Sequence, residues 1–169
     1  MTSNILYTSH FSELELTESA TARKYGIDNW PTPEVVENLR QLCTHTLEPL
    51  REALGLPIII TSGYRCKELN EILVHAARRS QHIAGQAADF YVAQGPVQGS
   101  RVQGSRELLI QAFRLIITEP EIDFDQLIIY PTFIHVSYVS REKNRHQLTR
   151  ASSNGAYTAL SRADALALS

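Results

Sequence analysis

The chain has 169 residues, of which 43% are hydrophobic and 20% are charged, and its formal net charge is −2. These values predict one soluble globular domain over residues 1–169, and they exclude a disordered chain and a strongly basic protein that binds nucleic acid. The two cysteines, Cys43 and Cys66, are too few for a disulfide framework. No apolar run approaches the roughly 20 residues of a membrane span, and the N-terminus lacks the pattern of a signal peptide. We therefore expect the protein to be cytoplasmic as synthesised.

The first third of the chain is predicted to be helical. Residues 12–25 form helical pieces that end at Gly26. A longer helix is predicted from Thr32, which can cap it, to Gly55, because apolar residues recur along it at helical spacing. Pro49 lies inside this helix and should kink or split it, because proline removes a backbone hydrogen bond.

Strands and helices alternate after Gly55. The run PIIITSGYR predicts a buried strand, CKELNEILVHAA a short helix, SQHIAG a loop and QAADFYVA a second strand. A long helix is predicted in SRELLIQAFRLIITE with Ser105 as its cap, and FDQLIIY and TFIHVSY predict adjacent antiparallel strands joined through Pro131. This order predicts an α+β fold with a small, mostly antiparallel sheet flanked by helices.

Two segments have no predicted regular structure. The pentapeptide VQGSR occurs twice in tandem, at 97–101 and 102–106, and its composition predicts a flexible loop over about 94–105. This loop is either a surface excursion or a flap that faces a substrate. The basic run after Ser140 predicts a solvated surface, with contact to an anionic polymer as the alternative, and residues 152–169 are expected to be a C-terminal tail whose end frays.

Two histidines and one aspartate are candidates for a metal site: His82, Asp89 and His135. Zinc accepts nitrogen and oxygen donors in a tetrahedron, and a catalytic zinc keeps three protein ligands and one water. Gly85 would let the chain turn between His82 and Asp89, and His135 alternates with β-branched residues that face the opposite side of a strand. Iron also uses two histidines and a carboxylate, but the six residues between His82 and Asp89 favour zinc. Taken alone, His82 would be a surface loop residue, and His135 would be a hydrogen-bonded histidine of a strand.

The motifs SGYRCKELN, SQHIAGQAAD, FDQLI and FIHVSY together resemble the zinc D-alanyl-D-alanine carboxypeptidase family of bacteria and phages. That family shares its fold with lysostaphin-type peptidases and the hedgehog signalling domain. The similarity extends upstream through ESATARKYGIDN, NLRQL and LEPLRE, and covers most of residues 11–150. It implies a hedgehog/DD-peptidase-like fold, a Zn²⁺ cofactor and hydrolysis of D-alanine-containing peptide stems of peptidoglycan, as a carboxypeptidase or an endopeptidase. A chain without a signal peptide would reach the cell wall through lysis or a phage-type export route.

The resemblance also implies roles for individual residues. His82, Asp89 and His135 match the three zinc ligands of the family. Arg65 matches an arginine that grips the substrate, since a guanidinium pairs well with a carboxylate or carbonyl group. Ser80 matches a hydroxyl close to the metal, with the capping of a loop as its alternative role.

The sequence departs from the family pattern at the catalytic acid. The glutamate that acts as general base falls on Tyr130, and no Asp or Glu lies between Asp125 and His135. A phenol titrates near ~10, so Tyr130 is a poor base near neutral pH, although it could donate a hydrogen bond to an oxyanion. Asp125 is a candidate base, and Asp125 and Gln126 are candidates to orient His135 or the sheet. The alternative function is therefore a catalytically impaired, zinc-containing module that binds muropeptides or has a structural role.

Overall fold

The computed structural model describes residues 5–74, 76–94 and 104–169. The helices of this part of the chain are α1 (Glu13–Thr17), α2 (Ala20–Tyr25), α3 (Pro33–Leu42), α4 (Glu48–Leu54), α5 (Lys67–Ile72), α6 (Arg106–Thr118) and α7 (Arg162–Leu166). Its strands are β1 (Ile58–Ser62), β2 (Ala87–Val92), β3 (Gln126–Ile129), β4 (Ile134–Ser137), β5 (Gln147–Ala151) and β6 (Tyr157–Ala159).

The strands form one six-stranded sheet in the order β1-β2-β4-β3-β5-β6. Neighbouring strands are antiparallel except for the parallel pair β3 and β5. The prediction of an α+β fold with a mostly antiparallel sheet is therefore confirmed.

Helices cover one face of the sheet and leave side chains of the opposite face for a site. Helix α6 packs against β2, β3 and α4. In β4, Ile134 and Val136 are fully buried in the shared core, whereas His135 between them points to the opposite face. The alternation of β4 thus separates core residues from the candidate metal ligand.

The long helix that begins after Thr32 is interrupted before Pro49, as its sequence predicts. Helix α3 continues into a π-helical segment (Cys43–Leu47) and then into α4. The N–H of Glu48 donates to the carbonyl of Cys43, five residues earlier, so the chain widens by one residue where Pro49 offers no donor. Gly55 ends α4 in the left-handed conformation, at φ 64°.

The C-terminal segment differs from its sequence prediction. The expected tail over residues 152–169 contains β6 and α7, and β5 precedes it. Ala165 of α7 is fully buried, and Arg114 Nη2 donates to the carbonyl of Leu168 at 2.5 Å. These contacts attach the segment to α6, which is why it is ordered rather than an extended tail.

The loop predicted over about 94–105 falls mostly on residues 95–103, outside the described part of the chain. Its last residues, Gly104 and Ser105, lead into α6, and the N–H of Gly104 donates to the carbonyl of Val92 at 2.8 Å. None of the helices in the described ranges is long and apolar enough to cross a membrane.

Candidate metal centre

Three elements bring His82, Asp89 and His135 together. His82 lies in a 3₁₀ turn (Gln81–Ala84), and Asp89 and His135 are directly opposite each other on β2 and β4. His82 Nε2 lies 3.3 Å from Asp89 Oδ1 and 3.3 Å from His135 Nδ1, and His135 Nδ1 lies 2.7 Å from Asp89 Oδ1. The three candidate ligands therefore converge on one point.

This donor set fits a zinc ion. Bonds of about 2.0 Å to a tetrahedral zinc place two ligand atoms about 3.3 Å apart. Two of the three separations have this value, and the third is shorter because His135 and Asp89 are hydrogen-bonded to each other. Two histidines and one carboxylate leave a fourth position for water, as in catalytic zinc sites.

His82 and Asp89 each bond a neighbouring group through one side-chain atom. This leaves the other side-chain atom of each residue free to bind a metal. His82 Nδ1 lies 2.7 Å from the carbonyl of Gly63, which fixes the proton on Nδ1 and leaves the lone pair on Nε2. Asp89 Oδ2 accepts from Arg65 Nη2 at 2.9 Å, which leaves Oδ1 toward the histidines. Both arrangements orient these donor atoms before any metal binds.

Two glycines fix the backbone around His82. A Cβ on Gly63 would lie 2.2 Å from the carbonyl oxygen of Leu16 in α1, so a larger residue here would displace the carbonyl that bonds His82. Gly85 ends the 3₁₀ turn at φ 70°, and a Cβ there would lie 2.7 Å from the carbonyl oxygen of Val35 in α3. The turn that carries His82 is thus packed against α3, and the segment whose carbonyl bonds His82 is packed against α1.

The electrostatics favour the protonation states that metal ligands need. Burial lowers the pKa of His82, which is only 2% exposed, and the nearby Asp89 offsets this only in part. Burial also raises the pKa of Asp89, but the nearby imidazole of His82 and the hydrogen bond from His135 hold it well below its ordinary value. A neutral imidazole at His82 and an ionised carboxylate at Asp89 are therefore expected at neutral pH, and both are needed for metal binding.

Arg65 is held against the metal ligands. Its Nη2 donates to Asp89 and its Nε donates to Ser62 Oγ, both at 2.9 Å. The Arg65 and Asp89 side chains are each 14% exposed, so the pair is largely shielded from water. Within the described ranges the Nη1 group of Arg65 has no hydrogen-bond partner, so it is available to a bound molecule.

Ser80 serves as a cap. Its Oγ accepts from the N–H of His82 at 3.4 Å at the start of the 3₁₀ turn. Ser80 therefore contacts the backbone of a candidate ligand. This is the capping role that the sequence allowed as its alternative.

The carboxylate of Asp125 forms an ion pair with Arg145 and is not available as a general base. The carboxylate is 1% exposed, accepts from Arg145 Nε at 2.9 Å and Nη2 at 2.5 Å, and also accepts from Gln81 Nε2 at 2.9 Å. Burial raises its pKa, but the hydrogen bonds from Arg145 and Gln81 outweigh this effect and lower the pKa to about 2. A carboxylate so strongly stabilised in its ionised form is a poor proton acceptor.

The structure does not place Asp125 or Gln126 beside His135, but the N–H of Asp125 donates to the carbonyl of Ser137 on β4, which suits their other expected role, the orientation of the sheet. Ile128, not Asp125 or Gln126, is opposite His135 in the sheet. The side chain of Gln126 donates to Gln147 Oε1 at 2.9 Å, toward β5. His135 is instead oriented by its direct contact with Asp89.

Tyr130, where the resemblance places the glutamate of the family, is paired with a tyrosine that the sequence did not indicate. The hydroxyls of Tyr130 and Tyr157 lie 3.0 Å apart, and the ring of Tyr130 stacks on Phe133 with centroids 4.1 Å apart. Arg106 Nη1 donates to the carbonyl of Tyr130 at 2.7 Å. Burial, the hydrogen bond with Tyr157 and the charge of Asp89 raise the pKa of Tyr130, so its phenol stays protonated and can act as a donor. Tyr157 lies on β6, in the expected tail, where its sequence carries no catalytic motif.

The candidate ligands and both tyrosines line one open cavity of about 1240 Å³. The carboxylates on its described wall are Glu18, Asp89 and Asp125. Glu18 is ion-paired with Arg23, and the other two are engaged as described above. Among the described residues, the cavity therefore contains no carboxylate that is free to act as a general base.

The chain is similar to a family of peptidases. The sequence model of the family described as Peptidase M15 matches residues 9–112. No curated protein is significantly similar to the chain. The matched segment contains Arg65, His82 and Asp89, whereas Tyr130 and His135 follow it. Because the match covers more than half of the 169 residues, the chain belongs to the Peptidase M15 family, of the zinc D-alanyl-D-alanine carboxypeptidase type.

Proposed function

We propose that the protein is a zinc-dependent peptidase, acting as a single domain, that hydrolyses D-alanine-containing peptide stems of the bacterial cell wall. The observation that carries the proposal is the convergence of His82, Asp89 and His135 in an open cavity of a chain from a peptidase family. Cleavage would release either a terminal D-alanine or a peptide fragment. The protein would reach its substrate through lysis or a phage-type export route.

Each residue of the site has a role in this reaction. A bound zinc ion would polarise the scissile carbonyl and lower the pKa of a water molecule to about 7. The Nη1 group of Arg65 would bind a carboxylate or carbonyl of the peptide, with its guanidinium kept in place by Ser62 and Asp89. The protonated hydroxyl of Tyr130, polarised by Tyr157, would donate a hydrogen bond to the oxygen that becomes negatively charged.

A second function is favoured by the missing base. A positioned general base contributes typically about 10²–10⁴-fold to a rate, and neither Tyr130 nor Asp125 has the pKa of such a base. The alternative is therefore a catalytically impaired module that keeps its zinc and binds muropeptides or supports an assembly. Its metal site would be the same, and only turnover would distinguish the two functions.

The test is the release of D-alanine or of a cleaved fragment from purified muropeptides, with and without added zinc. His82→Ala should lose both zinc and turnover. His10→Ala, whose imidazole pairs with Glu48 at the surface, is the matched control and should keep both. One equivalent of zinc without turnover would favour the binding module. Less than about a tenth of an equivalent of any transition metal in protein purified without chelator would reject both functions.

A further inference from the structure

The described wall of the cavity carries more positive than negative charge, although the formal net charge of the whole chain is −2. Its carboxylates are those of Glu18, Asp89 and Asp125, and its cationic side chains are those of Arg65, Arg79, Lys143 and Arg145. A concave surface lined by one sign of charge concentrates its field and attracts ligands of the opposite sign.

The three carboxylates are each neutralised by an arginine. Asp89 pairs with Arg65 at 2.9 Å and Asp125 with Arg145 at 2.5 Å. Glu18 pairs with Arg23, which is not part of the cavity wall. The acidic groups therefore contribute little free negative charge to the cavity.

Arg79 and Lys143 remain as uncommitted cations. Both side chains are exposed, and neither makes a salt bridge or a side-chain hydrogen bond within the described ranges. Arg79 directly precedes Ser80 and the turn of His82, and Lys143 follows β4, which carries His135. Glu142, the neighbour of Lys143, is not part of the cavity wall. The two cations thus reach the cavity from the segments that flank two of the candidate metal ligands.

We infer that Arg79 and Lys143 select acidic peptides, in which carboxylates other than the group held at the metal site pair with these two cations. The inference rests on the proposed function and names the substrate class of the same cavity. Apolar side chains of Leu69, Leu73 and Phe133 also line the cavity, which suits a peptide better than a chain of phosphates. A bound zinc ion would add two further positive charges to this wall.

The experiment compares two synthetic peptides that end in D-alanyl-D-alanine and differ in one group. One carries a free glutamyl carboxylate, and in the other this carboxylate is amidated. Both are titrated into the zinc-loaded full chain by calorimetry, at low ionic strength and at about 0.5 M salt. The acidic peptide should bind about fivefold more tightly at low ionic strength, because partly exposed ion pairs contribute a few-fold each, and salt should reduce the difference.

Paired double variants separate cavity charge from total charge. Arg79→Gln with Lys143→Gln should abolish the preference for the acidic peptide. Arg78→Gln with Lys67→Gln is the matched control, because it removes the same charges from exposed side chains outside the cavity wall. The control should keep the preference.

Three results would overturn the inference: equal binding of the two peptides, an equal loss in both double variants, or competition by inorganic tripolyphosphate as strong as that by the acidic peptide. Cleavage is followed in the same samples by mass spectrometry. Cleavage of both peptides at equal rates after equal binding would reject the inference and support the proposed function. Charge-dependent binding without cleavage would support the inference and reject hydrolysis.

Discussion

Replacing Tyr130 with glutamate should turn a slow or inactive site into a faster one. Tyr130 follows β3 at the cavity wall, close enough to Asp89 and Arg65 for both charges to affect its pKa. The resemblance places the family's general base at this position. A positioned base is worth typically about 10²–10⁴-fold in rate, or about 3–5 kcal/mol of activation free energy.

The substitution also removes contacts of the tyrosine. The hydrogen bond to Tyr157 contributes about 1 kcal/mol to stability, and the stack on Phe133 about the same. A loss of about 2 kcal/mol is within the stability of an ordinary domain. The Tyr130→Glu variant should therefore fold, and its zinc content should be unchanged because no candidate ligand is altered.

The assay is kcat/KM on a purified muropeptide between about pH 6 and 8. Tyr130→Glu should exceed the original protein by at least about tenfold, and its rate should fall on the acid side as the new carboxylate becomes protonated. Tyr130→Gln is the control, because glutamine has the shape of glutamate without its charge. Equal rates for these two variants, with zinc content and melting temperature retained, would refute the placement of a base at position 130.

Two further predictions concern the supports of the site. Arg145→Gln should lower the free energy of unfolding by about 1–2 kcal/mol at pH 7. Burial raises the pKa of Asp125, and the half-exposed guanidinium, together with Gln81 and the backbone N–H of Arg145, lowers it to about 2. A carboxyl group with a lowered pKa stabilises the fold above pH ~4, and this stabilisation is lost as the pH falls toward 2. In urea unfolding, the difference in stability between the original protein and the variant should therefore be smaller at pH 3 than at pH 7. An equal difference at both pH values would contradict this origin. Gly63→Ala should cost about 2 kcal/mol or more, because its Cβ would lie 2.2 Å from a carbonyl oxygen of α1. It should also weaken zinc binding about 10–100-fold by displacing the partner of His82, and unchanged zinc affinity in calorimetry would contradict that link.

The parts of the fold that the sequence predicts are those with strong local signals. The cap at Thr32, the stop at Gly55 and the interruption at Pro49 each follow from one residue with a distinct backbone requirement. Strand β6 and helix α7 lack such signals because they are short and expose most of their side chains, and β5 is short although three of its five residues are buried. β5 is ordered by pairing with β3, β6 by pairing with β5, and α7 by packing on α6, and a local pattern cannot reveal these contacts between segments.

The candidate site divides in the same way. Motif spacing and strand alternation make His82, Asp89 and His135 candidates, and the family resemblance groups them as ligands of one metal, which suits their positions on a turn and on the adjacent strands β2 and β4. The state of Asp125 could not be predicted, because its partner Arg145 lies in an irregular segment twenty residues later. Tyr157 was missed for the same reason, since only the β5–β6 pairing brings it to the cavity.

The candidate metal ligands and the residue at position 130, where a general base would activate water, are held by different parts of the fold. The orientation of His82 and Asp89 depends on close backbone contacts and a shielded ion pair, so it cannot change without disturbing α1, α3 and the sheet. In the described part of the chain, the side chain at position 130 makes a ring stack and a hydroxyl contact, and its backbone makes two hydrogen bonds that any residue other than proline can make. The acid can therefore be lost while the metal site is kept. Its replacement by a neutral phenol also removes one negative charge from the cavity, which strengthens the attraction for acidic peptides. By this reasoning Tyr130→Glu should raise turnover and, at the same time, weaken the preference for the acidic peptide.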